Sequence, residues 1–128
     1  MVAAVLEGEI EVHRALGRQR RLVTSSLTFG ECWRAFVRAR TSGRLTEEGE
    51  LQARHALQSL LLECVVVPVS DDILERAGRP FPVEPVRTLD AIHLASIQWL
   101  SLPVEDVIVV TRDRRVRENA AALGYTVV

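Results

Sequence analysis

The sequence contains no lysine, because all 16 of its basic residues are arginine. This absence excludes Schiff-base catalysis, P-loop nucleotide binding and protein-kinase chemistry, since each of them needs a lysine ammonium group. Cysteine is also scarce: Cys32 and Cys64 leave one possible pair and no CxxC spacing. Together with three scattered histidines they are not arranged to supply the four ligands of a structural zinc site. We therefore expect both thiols to be buried as small hydrophobic side chains.

Long apolar runs and a large charge excess are missing as well. The longest run without a formal charge, residues 91–104, is too short to span a bilayer. Glu7 and Glu9 interrupt the apolar N-terminal stretch, which therefore does not resemble a signal peptide. The net charge of −1 is unlike that of a protein that coats nucleic acid. These features predict a cytoplasmic protein, not bound to membranes, and a length of 128 residues fits one domain.

Short valine-rich runs alternate with segments of helical periodicity along the whole chain. The runs 64–69 and 107–111 are continuously apolar, which is typical of strands buried on both faces. Such alternation predicts an α/β fold, with a parallel sheet covered by helices on both faces. The predicted helices cover about residues 2–17, 28–41, 46–62, 70–77, 89–100 and 113–123, and the predicted strands cover 22–25, 64–69, 107–111 and 125–128.

Three acidic residues lie near the predicted carboxyl edge of this sheet. Glu31 is placed in the first turn of the helix after strand 22–25, and Asp113 follows strand 107–111. Asp90 begins the helix that Thr88 is expected to cap. Ligands of parallel sheets bind beyond the carboxyl ends of the strands, and clustered carboxylates suit Mg²⁺ or Mn²⁺. Helix capping and the helix dipole are the alternative explanation for each acid taken alone.

Several segments resemble PIN-domain proteins, above all the VapC-type toxins of bacterial toxin–antitoxin pairs. The segment 88–96 (TLDAIHLAS) and the Thr-x-Asp of residues 111–113 carry the most specific likeness. The other segments occur in the same order and at normal spacing, so that the likeness spans essentially the whole chain. They are residues 25–31 (SSLTFGE), 34–36 (RAF), 87, 109–110 and 120–125 (AAALGY).

This resemblance implies a PIN-like three-layer fold and a metal-dependent endoribonuclease. The family holds Mg²⁺ or Mn²⁺ with a set of acids, and Glu31, Asp90 and Asp113 match three of them as catalytic residues and metal ligands. Thr111 matches the hydroxyl residue that supports the last aspartate. The implied reaction is in-line attack of a metal-activated water on an RNA phosphodiester. The implied partners are RNA, a cognate antitoxin and a second copy of the chain in a homodimer.

The N-terminus departs from the family pattern. The family begins with a central strand that ends in an aspartate and lies between the strands matching 22–25 and 107–111. Here Met1 falls inside the region that matches the first helix. We therefore expect one PIN-like domain over residues 1–128, N-terminally truncated relative to the family and lacking that first strand and its aspartate. The alternative function is a catalytically weakened or inactive PIN-like protein that acts as a binding partner, such as an antitoxin sink.

Arginine and histidine side chains near the acids leave further alternatives open. Arg34, Arg112, Arg114 and Arg115 are candidates for contacts with RNA phosphates, and a solvated arginine face is the other interpretation. His93 follows Asp90 by three residues on the same helical face. It is a candidate partner of a metal ligand or a metal ligand itself, although a packed core histidine is the favoured interpretation. A receiver or haloacid-type phosphatase is disfavoured because both use a lysine.

Overall fold

The computed structural model describes residues 21–128, and its elements follow the predicted order. The helix predicted over residues 2–17 lies outside this part of the chain. Each element predicted within it is present, although the last two strands are only two residues long. The strands are β1 (Leu22–Ser25), β2 (Cys64–Val67), β3 (Ile108–Val109) and β4 (Thr126–Val127); the helices are α1 (Leu27–Thr41), α2 (Glu47–Leu62), α3 (Asp71–Ala77), α4 (Thr88–Trp99) and α5 (Arg114–Ala122), with a 3-10 turn at Val104–Asp106.

The four strands form two separate parallel pairs. β1 pairs with β2, with Leu22 opposite Cys64, and β3 pairs with β4, with Ile108 opposite Thr126. Within residues 21–128 no strand ladder joins β1 to β3. The parallel pairs confirm the predicted α/β class.

β2 differs from the predicted strand in both length and burial. It ends at Val67 rather than at Val69, because Pro68 has no backbone N–H to continue the ladder. The prediction of burial on both faces was wrong, since Val65 is 46% exposed and only Val67 is fully buried. Within residues 21–128 β2 pairs with β1 alone, so its other edge has no ladder partner there.

Local hydrogen bonds explain where the helices begin. The Thr46 hydroxyl accepts the Gly49 N–H (3.0 Å) at α2, as a residue before a helix should. The prediction that Thr88 caps α4 was wrong: Thr88 is the first helical residue, and no side chain caps this helix. Ser26 precedes α1, but its hydroxyl accepts the Val69 N–H (3.2 Å) instead of capping the helix. This bond ties the start of α1 to the segment after β2.

Helix α4 lies at the centre of the larger hydrophobic cluster. Its residues 91–97 are all buried, and they pack with β3, α5 and α3. Leu94 and Val109 have no exposed surface. We call this group the central cluster; its buried members are Val67, Ile73, Phe81, Ala91, Ile92, Leu94, Ala95, Ile97, Val107, Val109, Val116 and Ala120.

A smaller cluster forms where α1 packs on α2. The Arg54 guanidinium lies 4.5 Å from the centre of the Trp33 ring and covers one side of it. Cys32 is buried here, as predicted, whereas Cys64 in β2 is only half-buried. Burial raises the pKa of the Cys64 thiol, and the Glu63 carboxylate adds to this. The buried members of this α1–α2 cluster are Cys32, Phe36, Leu57 and Leu61.

The proline-rich segment 78–87 is irregular, and side-chain hydrogen bonds hold it in place. Asn119 of α5 is fully buried and accepts the Val83 N–H (2.8 Å) while donating to the Val83 carbonyl (2.9 Å). The Glu84 carboxylate accepts the N–H groups of Phe81 (2.9 Å) and Val86 (2.7 Å). These bonds fix the segment that leads into α4, and with it the position of the first helical turn.

None of the helices in residues 21–128 has the length and apolarity to cross a membrane.

Candidate active site

Asp90 lies in the first turn of α4 and feels the charges of both other acids. Its side chain is half-buried, and burial is the main cause that raises its pKa. The negative charge of Asp113 raises the pKa further, and that of Glu31 adds a smaller increase, while His93 and Arg87 oppose them. Carboxylates interact this way only when they are near one another. Asp113 and Glu31 therefore both act electrostatically on Asp90, and we call these three residues the acid cluster (Glu31, Asp90 and Asp113).

Glu31 occupies the second turn of α1, not the first turn as predicted. The helix begins at Leu27, and its first turn contains no acidic residue. Because the favourable effect of the helix dipole is confined to the first turn, it does not explain an acid at this position. The contact that Glu31 makes is with another element: the Nε2 atom of His93 donates a hydrogen bond to its Oε1 atom.

His93 is the residue near the acid cluster for which the sequence favoured a purely structural role. Its side chain is 6% exposed, as the favoured interpretation of a packed core histidine requires. The contact with Glu31 nevertheless makes it a partner of the acid cluster, which was one of the alternatives. Its other ring nitrogen, Nδ1, is buried and has no hydrogen-bond partner in the described chain. The available signal was its position three residues after Asp90, which puts both on one helical face.

Asp113 has a structural role as well as a place in the acid cluster. Its Oδ1 atom accepts the Val116 N–H (2.9 Å) and caps α5, so the capping explanation holds for this oxygen. The buried hydroxyl of Thr111 accepts the Asp113 N–H (3.1 Å). Thr111 thus contacts Asp113 through the backbone rather than through the carboxylate. The Oδ2 atom of Asp113 makes no hydrogen bond to the rest of residues 21–128.

The donor set fits a hard divalent cation in chemistry and charge. The Asp90 carboxyl group makes no hydrogen bond within residues 21–128, and the carboxylates of Glu31 and Asp113 each use one oxygen and leave the other open. Carboxylate oxygens are the ligands that Mg²⁺ and Mn²⁺ prefer, and a bound cation would offset the repulsion between them. Across residues 21–128, however, no three Asp, Glu, His or Cys side chains converge closely enough to hold one ion. Mg²⁺ binding commonly uses one or two carboxylates directly and water for the remaining positions.

The arginines near the acid cluster differ in how far they are already paired. Arg114 and Arg115 both form ion pairs with Glu118 of the same helix, at 3.3 and 3.1 Å. Arg112 and Arg34 are exposed and have no ion-pair partner among the described residues. An unpaired guanidinium can bind a phosphate without first breaking an ion pair. The structure therefore separates the four predicted phosphate-binding residues into two classes.

Comparison with known proteins settles the family. The sequence profile described as PIN domain matches residues 1–122. The chain belongs to the PIN-domain family. It is also similar to Ribonuclease VapC46 of Mycobacterium tuberculosis, with 35% identity over 125 residues that cover 98% of this chain and 87% of that protein. Both findings confirm the resemblance drawn from the sequence motifs, and the α/β class agrees with them.

In this PIN-domain protein, the residues of the acid cluster lie on elements of two different hydrophobic clusters. Asp90 and Asp113 lie on α4 and at the end of the β3 segment, which belong to the central cluster. Glu31 lies on α1, which packs on α2 in the separate α1–α2 cluster. Within residues 21–128, the hydrogen bond from His93 to Glu31 joins these two parts of the site through their side chains.

Proposed function

We propose that this PIN-domain protein is a metal-dependent endoribonuclease of the VapC toxin type that hydrolyses RNA phosphodiesters. In this proposal Glu31, Asp90 and Asp113 are its catalytic residues and hold Mg²⁺ or Mn²⁺. The observation that carries the proposal is Asp90, a half-buried carboxyl whose pKa is raised by burial and by the Asp113 charge. Keeping like charges together costs stability, and such costs are concentrated at functional sites.

The side chains divide the work according to what they contact. A bound Mg²⁺ or Mn²⁺ would supply a water of lowered pKa and positive charge beside the reacting phosphate. Asp90 and Glu31 have open oxygens that would bind the ion. Asp113 would offer Oδ2 while its Oδ1 remains fixed by the cap on α5. Thr111 holds the backbone of Asp113 through a hydrogen bond. It would thereby fix the direction from which the Asp113 carboxylate approaches the ion.

RNA would be held by arginines that are free to contact its phosphates. Arg112 adjoins Asp113 and is exposed, and Arg34 is exposed on the same helix as Glu31. These two are the stronger candidates, because Arg114 and Arg115 already share Glu118. Phosphate contacts of this kind position RNA without reading its sequence.

The similarity to a VapC protein supports three further parts of the proposal. We propose that a cognate antitoxin holds the protein inactive, that the chain forms a homodimer, and that it acts in the cytoplasm. The antitoxin and the homodimer follow from the resemblance to VapC-type toxins, and the cytoplasmic location follows from the composition of the sequence as well; none of the three rests on a contact in residues 21–128. Co-purification with a co-expressed antitoxin, followed by loss of RNA cleavage in the complex, would test the first of them.

RNA cleavage in the presence of Mn²⁺ tests the catalytic proposal. We expect the full chain to cleave a labelled RNA, EDTA to abolish cleavage, and Asp90→Asn to reduce the rate about 100-fold or more. Asp106→Asn is the matched control, since Asp106 is an exposed acid before β3 and is not among the charges that act on Asp90. Cleavage that survives EDTA, or that is equal in Asp90→Asn and wild type, would contradict the proposal.

A non-catalytic PIN-like binding protein is the second candidate function. The observation that favours it is that no three potential ligands within residues 21–128 converge closely enough to hold an ion. A protein of this kind would bind RNA or an antitoxin without cleaving RNA. Stable RNA binding in a gel-shift assay, with no product formed in Mn²⁺ or Mg²⁺, would support it against the enzymatic proposal.

A further inference from the structure

We propose that His93 is a positioning residue that holds the Glu31 carboxylate toward Asp90 and so completes the acid cluster. This inference rests on the proposed function, because it concerns the same candidate site. It assigns a role to a side chain that packing alone would explain only in part. The geometry that supports it is the contact between His93 on α4 and Glu31 on α1.

The side chains of Glu31 and His93 differ greatly in how freely they can move. The Glu31 side chain is 40% exposed, and a glutamate on a helix surface has several rotatable bonds whose ordering costs entropy. His93 is 6% exposed and lies within the run of buried residues 91–97. A hydrogen bond from a fixed ring to a flexible carboxylate restricts the carboxylate, not the ring. His93 therefore determines where the Glu31 oxygens lie relative to Asp90.

The ring nitrogen that makes the contact specifies the chemistry. The Glu31 carboxylate accepts hydrogen bonds, so Nε2, the ring atom that faces it, is the donor. This hydrogen bond uses Oε1 and leaves Oε2 open toward solvent or an ion. Partners that orient a metal-binding side chain in this way commonly change metal affinity by about 10- to 100-fold when they are removed.

Glutamine and asparagine distinguish this role from simple packing. A glutamine side chain places its amide nitrogen at about the reach of Nε2, whereas asparagine places it at about the reach of Nδ1. Since Nδ1 has no partner in the described chain, a donor at that position should not hold Glu31. A purely structural role would instead make both substitutions change thermal stability without separating their metal affinities.

Titration of the full chain with Mn²⁺, followed by electron paramagnetic resonance of the free ion, tests the proposal. We expect His93→Asn and His93→Leu to weaken Mn²⁺ binding about 10- to 100-fold, and His93→Gln to stay within about threefold of wild type. His55→Leu is the matched control, because His55 is exposed on α2. In a Glu31→Gln background the difference between His93→Asn and His93→Gln should disappear, since the group that they hold is then altered.

The outcomes separate this proposal from the proposed function. Wild-type affinity in His93→Asn, or equal weakening in His93→Gln and His93→Asn, would overturn the positioning role and leave the metal site intact. Both comparisons remain usable if His93→Leu does not fold. A wild-type chain that shows no Mn²⁺ site sensitive to Asp90→Asn would overturn the proposed function, and the positioning role with it.

Discussion

Helices α4 and α2 contain similar numbers of apolar residues, but α4 buries far more of them than α2 does. All of residues 91–97 in α4 are buried, whereas α2 buries Leu57 and Leu61 and leaves Leu51 and Leu62 exposed by 56% and 89%. The acids divide in the same way, since Asp90 is on α4 and Glu31 is on the helix that packs against α2. A tightly packed part and a more open part of the protein therefore share one candidate site.

Cavity-forming substitutions give the largest expected effect and test this contrast directly. Leu94→Ala should lower the free energy of unfolding by about 3–5 kcal/mol, because Leu94 has no exposed surface and is enclosed on all sides. Leu57→Ala should cost about 2–3 kcal/mol, since the smaller α1–α2 cluster can collapse into the space more readily. Urea unfolding monitored by circular dichroism measures both.

Leu62→Ala is the control for these two variants. Its side chain is 89% exposed, so its removal should change the free energy of unfolding by less than about 0.5 kcal/mol. Equal costs for Leu94→Ala and Leu57→Ala would mean that the two clusters are packed alike, and the proposed contrast would be lost.

Asp90→Asn should stabilise the metal-free protein. This effect should be smaller than those of the cavity-forming substitutions and opposite in sign. The folded protein raises the pKa of Asp90 above its value in the unfolded chain, so ionising this carboxyl disfavours folding. The penalty is absent below the ordinary pKa range of aspartate, grows as the pH rises through that range, and is complete above the raised pKa. We expect the variant to melt roughly 1–4 °C above wild type at pH 7 with EDTA present.

A pH series of melting temperatures supplies the control for the Asp90 prediction. The difference between Asp90→Asn and wild type should vanish at acidic pH, where the carboxyl is protonated in both states. Asp106→Asn should show no such trend, since Asp106 is exposed. A lower melting temperature for Asp90→Asn at pH 7 would contradict the electrostatic cost assigned to the acid cluster.

The smallest expected effect concerns the arginines and compares a paired side chain with an unpaired one. Arg112→Ala should weaken RNA binding at low salt and reduce the slope of log affinity against log salt by about 0.7, the value for one phosphate contact on a single strand. Arg115→Ala should change the slope less, because Arg115 is already paired with Glu118 at 3.1 Å. Filter binding at several salt concentrations, with the inactive Asp90→Asn protein, measures both. Equal slopes for the two variants would assign both arginines to the same solvated face.

Local sequence patterns were sufficient for the elements of the fold. The valine-rich run at 64–69 and the apolar run at 107–111 predicted strands, and Thr46 and Ser70 correctly marked the starts of α2 and α3. Each of these signals depends on neighbours within a few residues, which a sequence displays directly. The same reasoning failed at Thr88, where the chain enters α4 from a segment held by the distant Asn119.

These local patterns did not predict contacts between residues that are far apart in the sequence. His93 and Glu31 are separated by 62 positions, and nothing in either local sequence indicates that the two side chains meet. The exposure of Val65 was missed for a similar reason, because it depends on what covers one face of β2. The three acids themselves were found from their positions at strand ends and from the PIN-domain resemblance, and their use as ligands remains a proposal.

The location of bound Mn²⁺ tests the central claim most directly. Crystals of the full chain grown with Mn²⁺ would show the ion by its anomalous scattering, independently of any activity assay. We predict a peak at coordination distance from carboxylate oxygens of Asp90 and of at least one of Glu31 and Asp113, and we predict that it is lost in Asp90→Asn. A fully occupied Mn²⁺ elsewhere, with none at these three carboxylates, would contradict it.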